Sequence, residues 1–305
     1  MSWQLKVMRV FLRQIARRSL GRQPDSYAAR AWFERGAWLN ARGRPYLSFT
    51  PDEIAGIPAL WTEKPAPGAP FILYIHGGGY VMGNPRTHAA LARYLARKAQ
   101  MPVLLPDYRL APEHPFPAAF DDALAFWHAL IAQGYRSEQI ALGGDSAGGG
   151  IALAVLGHLC AENLPLPGCA YAFSPFTDLT YSGASITENA KTEILLPPQR
   201  LEQLRARVLN GADARDPRIS PLFARFPKAP PVLIQVARTE ILRDDSRRMA
   251  VHLQAQGVQV SLQEWGNLPH VWQFFPGWLP EARKALTDAA QFIRQQLPAP
   301  PSADS

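Results

Sequence analysis

From residue 70 onward, short apolar runs alternate along the chain with longer segments of helical periodicity. Six runs predict strands: FILYI at 71–75, PVLLP at 102–106, QIALGG at 139–144, GCAYAF at 168–173, PVLIQVA at 231–237 and VQVSLQEW at 258–265. Five segments between and after them predict helices, at 87–100, 117–133, 147–162, 244–256 and 280–297. Strands that alternate with helices are typical of a parallel sheet covered by helices, so we expect an α/β fold.

Two segments do not fit this alternation. Residues 1–50 and about 181–212 are helical or irregular, and the second segment falls between two predicted strands of the sheet. We expect these two segments to form a helical cap over a sheet domain built from about 51–180 and 213–298. The Pro- and Ser-rich residues 299–305 predict a disordered tail.

The first seventeen residues predict an amphipathic helix. Its apolar stripe consists of Trp3, Val7, Val10, Phe11 and Ile15. Lys6, Arg9 and Arg13 interrupt every apolar run long enough for a secretory signal, and no stretch approaches the roughly 20 apolar residues of a membrane span. These observations predict a cytoplasmic chain. We expect Trp3, Val7, Phe11 and Ile15 to pack against the body as part of a lid and to help close a pocket, and contact of the basic helix with anionic lipid is the disfavoured alternative.

Composition and charge exclude several classes of protein. A chain of 305 residues that is 47% hydrophobic can bury a large core, which excludes a disordered or disulfide-stapled protein. Cys160 and Cys169 form no CxxC or Cys/His cluster, so we expect two ordinary thiols and no metal site. The net charge of +7 lies in residues 1–50, which carry +8, while the rest of the chain is near neutral. A neutral body without a recognition motif disfavours a nucleic-acid partner.

The segment Gly144-Asp145-Ser146-Ala147-Gly148 matches the G-x-S-x-G pattern between a predicted strand and a predicted helix. Such a sharp turn strains the serine backbone and exposes its hydroxyl, and a side chain at either glycine would collide with neighbouring elements. A phosphate-binding helix start is the alternative, but neither a GK[ST] nor a G-x-G-x-x-G pattern followed by an acid is present. We therefore predict Ser146 as a nucleophile.

A second glycine-rich segment, His76-Gly77-Gly78-Gly79-Tyr80, directly follows the strand FILYI. Successive glycines allow backbone N–H groups to approach a substrate and to stabilise a developing oxyanion by a few kcal/mol. About seventy residues ahead of a nucleophile, this pattern matches the HGGG-type motif expected in the loop after an early strand. We predict that Gly78, Gly79 and Ala147 supply the donors of the oxyanion hole.

A serine nucleophile requires a base. In α/β-hydrolases the order along the chain is serine, acid, histidine, which leaves His158, His252 and His270 as candidates. His158 lies on the helix that follows the serine, and His252 lies within another predicted helix. We favour His270, because the loop GNLPHVWQFF leaves it free to reach the serine.

The acid that orients the histidine should follow a late strand. PVLIQVA leads into a segment with three carboxylates, Glu240, Asp244 and Asp245. The two aspartates have the positions of helix-start residues, where they stabilise the helix. We predict Glu240 as the acid, because it lies in the loop and its carboxylate can orient the imidazole.

Together these motifs mark a resemblance to a known family. HGGGY, DYRLAPEHPFPAAFDD, GDSAGG, EILRDD and PHVW resemble the hormone-sensitive-lipase-like bacterial esterases over about residues 70–297. The resemblance implies an α/β-hydrolase fold with a helical cap, a preference for short acyl chains and frequent homodimers, and the ester-hydrolase hypothesis requires no cofactor. Many members carry Asp where this chain has Glu240. Within DYRLAPEHPFP, residues 107–109 are expected to brace the oxyanion loop.

The leading hypothesis is a serine carboxylic ester hydrolase that acts on a small-molecule ester. A lactone or amide hydrolase with the same machinery is an alternative. A non-catalytic ligand-binding module, such as the gibberellin receptors that resemble these esterases, is disfavoured because His270 is present. Seven aromatic residues are candidates for the pocket wall: Trp32, Trp38, Tyr80, Phe176, Phe223, Trp272 and Phe274. Tyr80 and Trp272 are favoured, since they adjoin the oxyanion loop and the base.

Overall fold

The computed structural model describes residues 2–22, 25–40, 49–66 and 68–297. Its centre is an eight-stranded sheet in the order β1-β2-β4-β3-β5-β6-β7-β8. The strands are β1 (Thr50–Ile54), β2 (Ile57–Trp61), β3 (Phe71–Ile75), β4 (Val103–Pro106), β5 (Ile140–Asp145), β6 (Cys169–Phe173), β7 (Val232–Ala237) and β8 (Val260–Trp265). β3 to β8 are mutually parallel. The six predicted strands and the α/β fold are thus confirmed.

The hairpin β1–β2, which was not predicted from the sequence, adds two antiparallel strands to one edge of the sheet. Its strands pair Thr50 with Trp61 and Ile54 with Ile57 around the turn Ala55-Gly56. Each strand contains a proline, Pro51 or Pro58, and proline within a short run argues against a strand unless it lies near a sheet edge.

Ten α-helices lie in the described ranges. They are α1 (Trp3–Phe11), α2 (Arg17–Arg22), α3 (Ser26–Asn40), α4 (Ala89–Ala99), α5 (Ala118–Ala132), α6 (Ser146–Ala161), α7 (Ser185–Glu188), α8 (Leu201–Leu209), α9 (Arg243–Ala255) and α10 (Pro280–Gln296). A π-helical segment, Leu12–Ala16, joins α1 to α2. The five helices predicted between and after the strands correspond to α4, α5, α6, α9 and α10.

Both faces of the sheet are buried. Along β3, Phe71, Leu73 and Ile75 join the core beneath α5 and α6, while Ile72 and Tyr74 join a second core that includes residues of α4 and α10. A strand covered on both faces has no polar side, and this explains why the parallel strands appear in the sequence as continuous apolar runs.

The two predicted cap segments contact each other. Arg13 donates a hydrogen bond of 2.6 Å to the carbonyl of Lys191, and Arg17 donates bonds of 2.7 and 2.9 Å to the carbonyls of Glu193 and Ala190. The N-terminal helices therefore rest on the insert between β6 and β7. The predicted tail, 299–305, and residues 41–48 of the first cap segment lie outside the described residues.

The predicted packing of the N-terminal stripe against the body is wrong, although Trp3, Val7, Phe11 and Ile15 line a large cavity, as expected for residues that help to close a pocket. Its five members, Trp3, Val7, Val10, Phe11 and Ile15, are each between 51% and 70% exposed. Leu5, Leu12 and Ala16 face the body instead. The helix therefore carries two rows of apolar side chains, and only the row of Leu5, Leu12 and Ala16 packs against the body. None of the helices in the described ranges combines the length and apolar character needed to cross a bilayer.

Candidate active site

Ser146 stands at the sharp turn between β5 and α6. Its φ angle is +52°, in the left-handed region that a side chain other than glycine seldom adopts. A Cβ atom on Gly144 would lie 2.1 Å from the carbonyl oxygen of Ile75, and one on Gly148 would lie 2.2 Å from the same oxygen. Both glycines are therefore required, because β3 passes directly against the turn.

The structure brings together the predicted nucleophile, base and acid, which are Ser146, His270 and Glu240. The Ser146 hydroxyl donates to Nε2 of His270 over 2.9 Å, and Nδ1–H of His270 donates to Oε2 of Glu240 over 2.6 Å. All three side chains are buried. This arrangement places a proton acceptor at the serine hydroxyl and a carboxylate behind that acceptor.

Two further hydrogen bonds fix the carboxylate of Glu240 just beyond the end of β7. Its Oε1 accepts from the backbone N–H of Ala237 over 2.7 Å and from the hydroxyl of Ser174 over 2.8 Å. One oxygen is therefore occupied by the protein framework, and the other is directed at His270. Ser174 was not predicted from the sequence to belong to the site.

The two competing aspartates bind other partners. Asp244 lies in the first turn of α9, where it pairs with Arg243 at 2.8 Å and accepts from the N–H of Ser185 at 2.9 Å. Asp245 accepts from the N–H groups of residues 177 and 178 over 2.8 and 3.0 Å. Their predicted position at the start of a helix is confirmed.

The environment of His270 favours its protonated form. Burial by itself would lower the pKa of the imidazole, but the hydrogen bond and negative charge of Glu240, with smaller contributions from Glu193 and Asp145, raise that pKa above its usual value. A more basic imidazole is a better acceptor for the serine proton, and it stays neutral only at pH values above its raised pKa.

The insert between β6 and β7 holds the loop that carries Glu240. The side-chain amide of Asn189 donates to the carbonyls of Arg238 and Glu240 over 3.0 and 2.7 Å. Oε2 of the buried Glu193 accepts from the N–H of Ile241 over 3.0 Å, and burial raises the pKa of this carboxyl. These contacts were not predicted, because Asn189 and Glu193 lie in a segment without periodicity.

The glycine loop adopts conformations that only glycine tolerates well. Gly78 has a φ angle of +126°, and a Cβ atom there would lie 2.0 Å from the carbonyl oxygen of Met82. Gly78 and Gly79 line the same cavity as Ser146 and His270. Ala147, the third predicted donor, directly follows the serine and is fully buried.

Asp145 anchors the glycine loop from behind. Its Oδ1 accepts from the Tyr74 hydroxyl at 2.7 Å and from the N–H of Gly77 at 3.0 Å, and Nε2 of His88 lies 3.3 Å away. Burial opposes ionisation, but His88 and the hydrogen bond from Tyr74 hold the pKa of Asp145 below its usual value. In the sequence Asp145 appears only as a variable position of the G-x-S-x-G pattern, so its anchoring role was not predicted.

The segment predicted to brace the glycine loop does so through Tyr108. Its hydroxyl donates to the carbonyl of His76 over 2.8 Å, and the two rings stack with their centroids 4.2 Å apart. Arg109 forms an ion pair with Asp122 over 2.6 Å, which fixes the segment to α5.

A cavity of about 1080 Å³ opens above Ser146 and His270. Both cap segments line it with apolar side chains, including Phe33, Leu196 and Leu204. Leu204 lies near Gly79, where an added Cβ atom would be 3.4 Å from its methyl group. The two predicted cap segments therefore form part of the wall of this cavity.

Comparison with known proteins identifies the family of the chain. A family defined by the alpha/beta hydrolase fold matches residues 72–274. An acetyl-hydrolase of Streptomyces hygroscopicus is 39% identical over 77% of this chain and 79% of its own length, and an esterase of Acinetobacter venetianus is 35% identical over 81% and 82%. The crystal structure of an esterase from the bacterial hormone-sensitive lipase family has a TM-score of 0.89 at 36% identity, covering 98% of this chain and 99% of that one. The chain belongs to the hormone-sensitive-lipase-like esterases of the α/β-hydrolase family. It is an ester-hydrolysing enzyme.

Two side chains predicted to line the pocket of this esterase lie elsewhere. Tyr80 is buried beside Phe116 in a separate small pocket, and Trp272 packs in a core cluster with Leu5 and Ala237. Neither is among the described residues that line the large cavity. Adjacency in sequence was misleading, because the backbone turns these two side chains into the core.

Three other aromatic candidates do line the cavity of the esterase: Trp32, Phe176 and Phe274. Phe223 lies outside it, beneath the guanidinium of Arg215. The side chain of Trp38 is outside the described part of the structure. Within the described ranges, no group of three or more His, Cys, Asp and Glu side chains is placed to hold a metal ion.

Proposed function

We propose that this esterase hydrolyses short-chain carboxylic esters with Ser146 as the nucleophile, His270 as the general base and Glu240 as the residue that orients the base. The observation that carries the proposal is the continuous hydrogen-bonded series from Ser146 through His270 to Glu240 at the floor of the large cavity. Gly78, Gly79 and Ala147 are proposed to donate to the oxyanion.

The chemistry follows from this placement. His270 Nε2 takes the hydroxyl proton while the serine oxygen forms a bond to the ester carbonyl carbon, and negative charge develops on the carbonyl oxygen. The tetrahedral intermediate then breaks its bond to the alcohol, which leaves with the proton from Nε2. Water attacks the acyl-enzyme in the same way, with His270 again as the base, and releases the acid. No step requires a metal ion or a cofactor.

Two features support a small-molecule ester as substrate. The cavity is largely apolar, as an acyl chain requires, and the resemblance to the family favours short chains. The same machinery serves lactones and amides, so a panel of matched substrates is needed. We expect a butyryl aryl ester to be hydrolysed faster than a butyryl anilide or γ-butyrolactone. Preference for the lactone or the anilide would replace the ester assignment.

Two variants test the roles of the residues. We expect Ser146→Ala and His270→Ala each to lower kcat for a butyryl aryl ester by several orders of magnitude, because the members of a triad act as a unit. Circular dichroism should show that both variants remain folded. Activity within about tenfold of the wild type in either variant would contradict the proposed roles.

We further propose that the enzyme works in the cytoplasm as a homodimer. The cysteines support a reducing compartment, since both are buried and unpaired, and burial raises the pKa of Cys160 to about 12. Cell fractionation tests the location, and sedimentation equilibrium tests the dimer. Exclusive recovery of the protein outside the cytoplasm, or a monomer at all concentrations, would contradict these two statements.

A further inference from the structure

The helix at the N-terminus presents a solvent-exposed apolar surface, four of whose five members line the catalytic cavity. Trp3, Val7, Val10, Phe11 and Ile15 form this surface, which we call the outer face. Each is between 51% and 70% exposed, although the opposite side of the same helix is buried through Leu5, Leu12 and Ala16. Contiguous exposed apolar side chains of this kind mark an interaction surface.

Cations flank the outer face. Residues 2–22 contain Lys6, Arg9, Arg13, Arg17, Arg18 and Arg22, and they contain no Asp or Glu. Arg13 and Arg17 donate to backbone carbonyls within residues 190–193, and carbonyls do not neutralise a guanidinium charge. The helix therefore combines an apolar face with a strongly positive flank.

Four of these arginines meet in one surface cavity of about 410 Å³. Its described lining consists of Arg13, Gln14, Arg17, Arg18, Gly21, Arg22, Pro197 and Gln199, so no acidic side chain is among the described residues that line it. Guanidinium groups bind phosphate oxygens through paired hydrogen bonds. The chemistry of this arginine cavity suits an anionic phosphate group.

The outer face also borders the catalytic cavity. Four of its members, Trp3, Val7, Phe11 and Ile15, line the same cavity as Ser146 and His270. Among the described residues, the Arg and Asp side chains that line this cavity carry a net positive charge. They are Arg35, Arg200, Arg207, Arg283, Asp25 and Asp145. Whatever covers the outer face therefore also covers the entrance to the active site.

We propose that the outer face and the arginine cavity dock this enzyme on an anionic lipid bilayer. The apolar side chains would enter the boundary between headgroups and acyl chains, and the arginines would bind headgroup phosphates. A second copy of the chain is a poorer occupant, because a two-fold interface would bring two positive flanks together. In this orientation a lipid-dissolved ester reaches Ser146 without crossing water.

Vesicle binding by the full chain tests the docking. We expect the protein to sediment with phosphatidylglycerol-containing vesicles at low salt at least about tenfold more strongly than with phosphatidylcholine vesicles, and the difference should shrink as salt rises. Equal binding to both vesicle types, or binding to neither, would overturn the proposal.

A matched pair of valine variants tests the outer face. Val10 on α1 and Val251 on α9 are both 65% exposed, and neither is among the described residues that line the catalytic cavity. We expect Val10→Asp to weaken vesicle binding at least about tenfold and Val251→Asp to leave it unchanged. Both variants should hydrolyse a dissolved butyryl ester like the wild type. Equal vesicle binding by the two variants would overturn the role of the outer face.

The arginine cavity has its own matched control. Each cation near an anionic surface strengthens binding about fivefold, so Arg18→Gln combined with Arg22→Gln should weaken it about 25-fold. Arg97 and Arg136 precede β4 and β5 and therefore lie near the N-terminal ends of these strands, opposite the C-terminal end of β5 that carries Ser146; their double Gln variant should bind like the wild type. Equal loss in the two double variants would show unspecific charge attraction and overturn the role of the cavity.

Two outcomes separate bilayer docking from dimer formation and from catalysis. If the wild type is a dimer that Val10→Asp dissociates, a second copy covers the outer face and the bilayer proposal is overturned. The vesicle assay measures sedimentation and does not depend on catalysis. A protein that binds vesicles but hydrolyses no ester would therefore contradict the proposed function and leave the docking intact.

Discussion

Replacement of Glu240 by glutamine tests the geometry of the acid in detail. In the structure, Oε1 of Glu240 accepts from Ala237 and Ser174, and Oε2 accepts from Nδ1–H of His270 over 2.6 Å. A glutamine must keep its only oxygen toward the two framework donors, and its NH2 group then faces Nδ1. The imidazole is driven into the other tautomer, with its proton on Nε2 facing Ser146, where it cannot accept the serine proton.

The expected loss follows from this tautomer change. A histidine held in the wrong tautomer costs a serine hydrolase about 10⁴-fold in kcat, which corresponds to roughly 5.5 kcal/mol of transition-state stabilisation. The assay is kcat for a butyryl aryl ester, with active-site titration to exclude traces of wild-type enzyme. Because glutamine preserves the size and the framework hydrogen bonds of Glu240, the unfolding transition should shift little.

Asp244→Asn is the matched control, since it also neutralises a carboxylate beyond the end of β7. It removes the ion pair with Arg243, so we expect a loss of about 1 kcal/mol in the free energy of unfolding and nearly unchanged kcat. The role of Glu240 is refuted if Glu240→Gln stays within about tenfold of the wild type while Asp244→Asn loses about 10³-fold or more.

Three other features of the site can be tested by substitution, by pH and by chelation. Asn189→Ala removes the side-chain donor to the carbonyls of Arg238 and Glu240, while Glu240 keeps the N–H of Arg243 as a donor, so denaturant titration should show a loss of about 1–3 kcal/mol together with lower kcat; an unchanged unfolding midpoint would contradict the anchoring role. Burial raises the pKa of Asp245 to about 7, whereas an unfolded Asp titrates near 3.9, so the native state holds an extra proton between these values and its stability falls as pH rises through that window. The melting temperature of Asp245→Asn should therefore rise relative to the wild type between about pH 4 and pH 7, and a constant difference would refute this. A chelator should leave hydrolysis unchanged, and activity that one divalent ion restores after chelation would show a metal requirement.

The parallel part of the fold could be predicted because strands that are buried on both faces appear in the sequence as continuous apolar runs. β3 appears as five consecutive apolar residues, and all five are buried. The hairpin β1–β2 leaves no such record, since each strand is short and contains a proline. Its place at the sheet edge depends on pairing with β4, a contact distant in sequence.

The residues expected to act at the site could be predicted because their motifs carry local constraints. Gly144 and Gly148 are fixed by the close passage of β3, and this constraint shows in the sequence as the pattern around Ser146. The residues that hold the site in place could not be predicted. Asn189 and Glu193 act through backbone contacts with a loop about fifty residues away, and no local pattern encodes such contacts.

The orientation of surface and pocket side chains could not be predicted reliably from the sequence. The N-terminal helix carries two apolar lines, and periodicity does not show which one faces the body; the structure buries Leu5 and Leu12 and exposes Trp3. The prediction for Tyr80 was wrong for a related reason. Its φ angle of +65° turns the chain immediately after the glycines. Tyr80 therefore does not line the catalytic cavity, although it directly follows Gly79, which does.

Covalent labelling with a phosphonate ester, followed by peptide mass mapping, tests the central claim most directly. Such reagents phosphonylate a serine that a neighbouring base activates, and the adduct mimics the tetrahedral intermediate. We predict one adduct per chain, located on Ser146, with loss of esterase activity in proportion to labelling and no labelling of Ser146→Ala. Full inactivation with Ser146 unmodified, or an equal rate of labelling in Ser146→Ala, would show that another residue is the nucleophile.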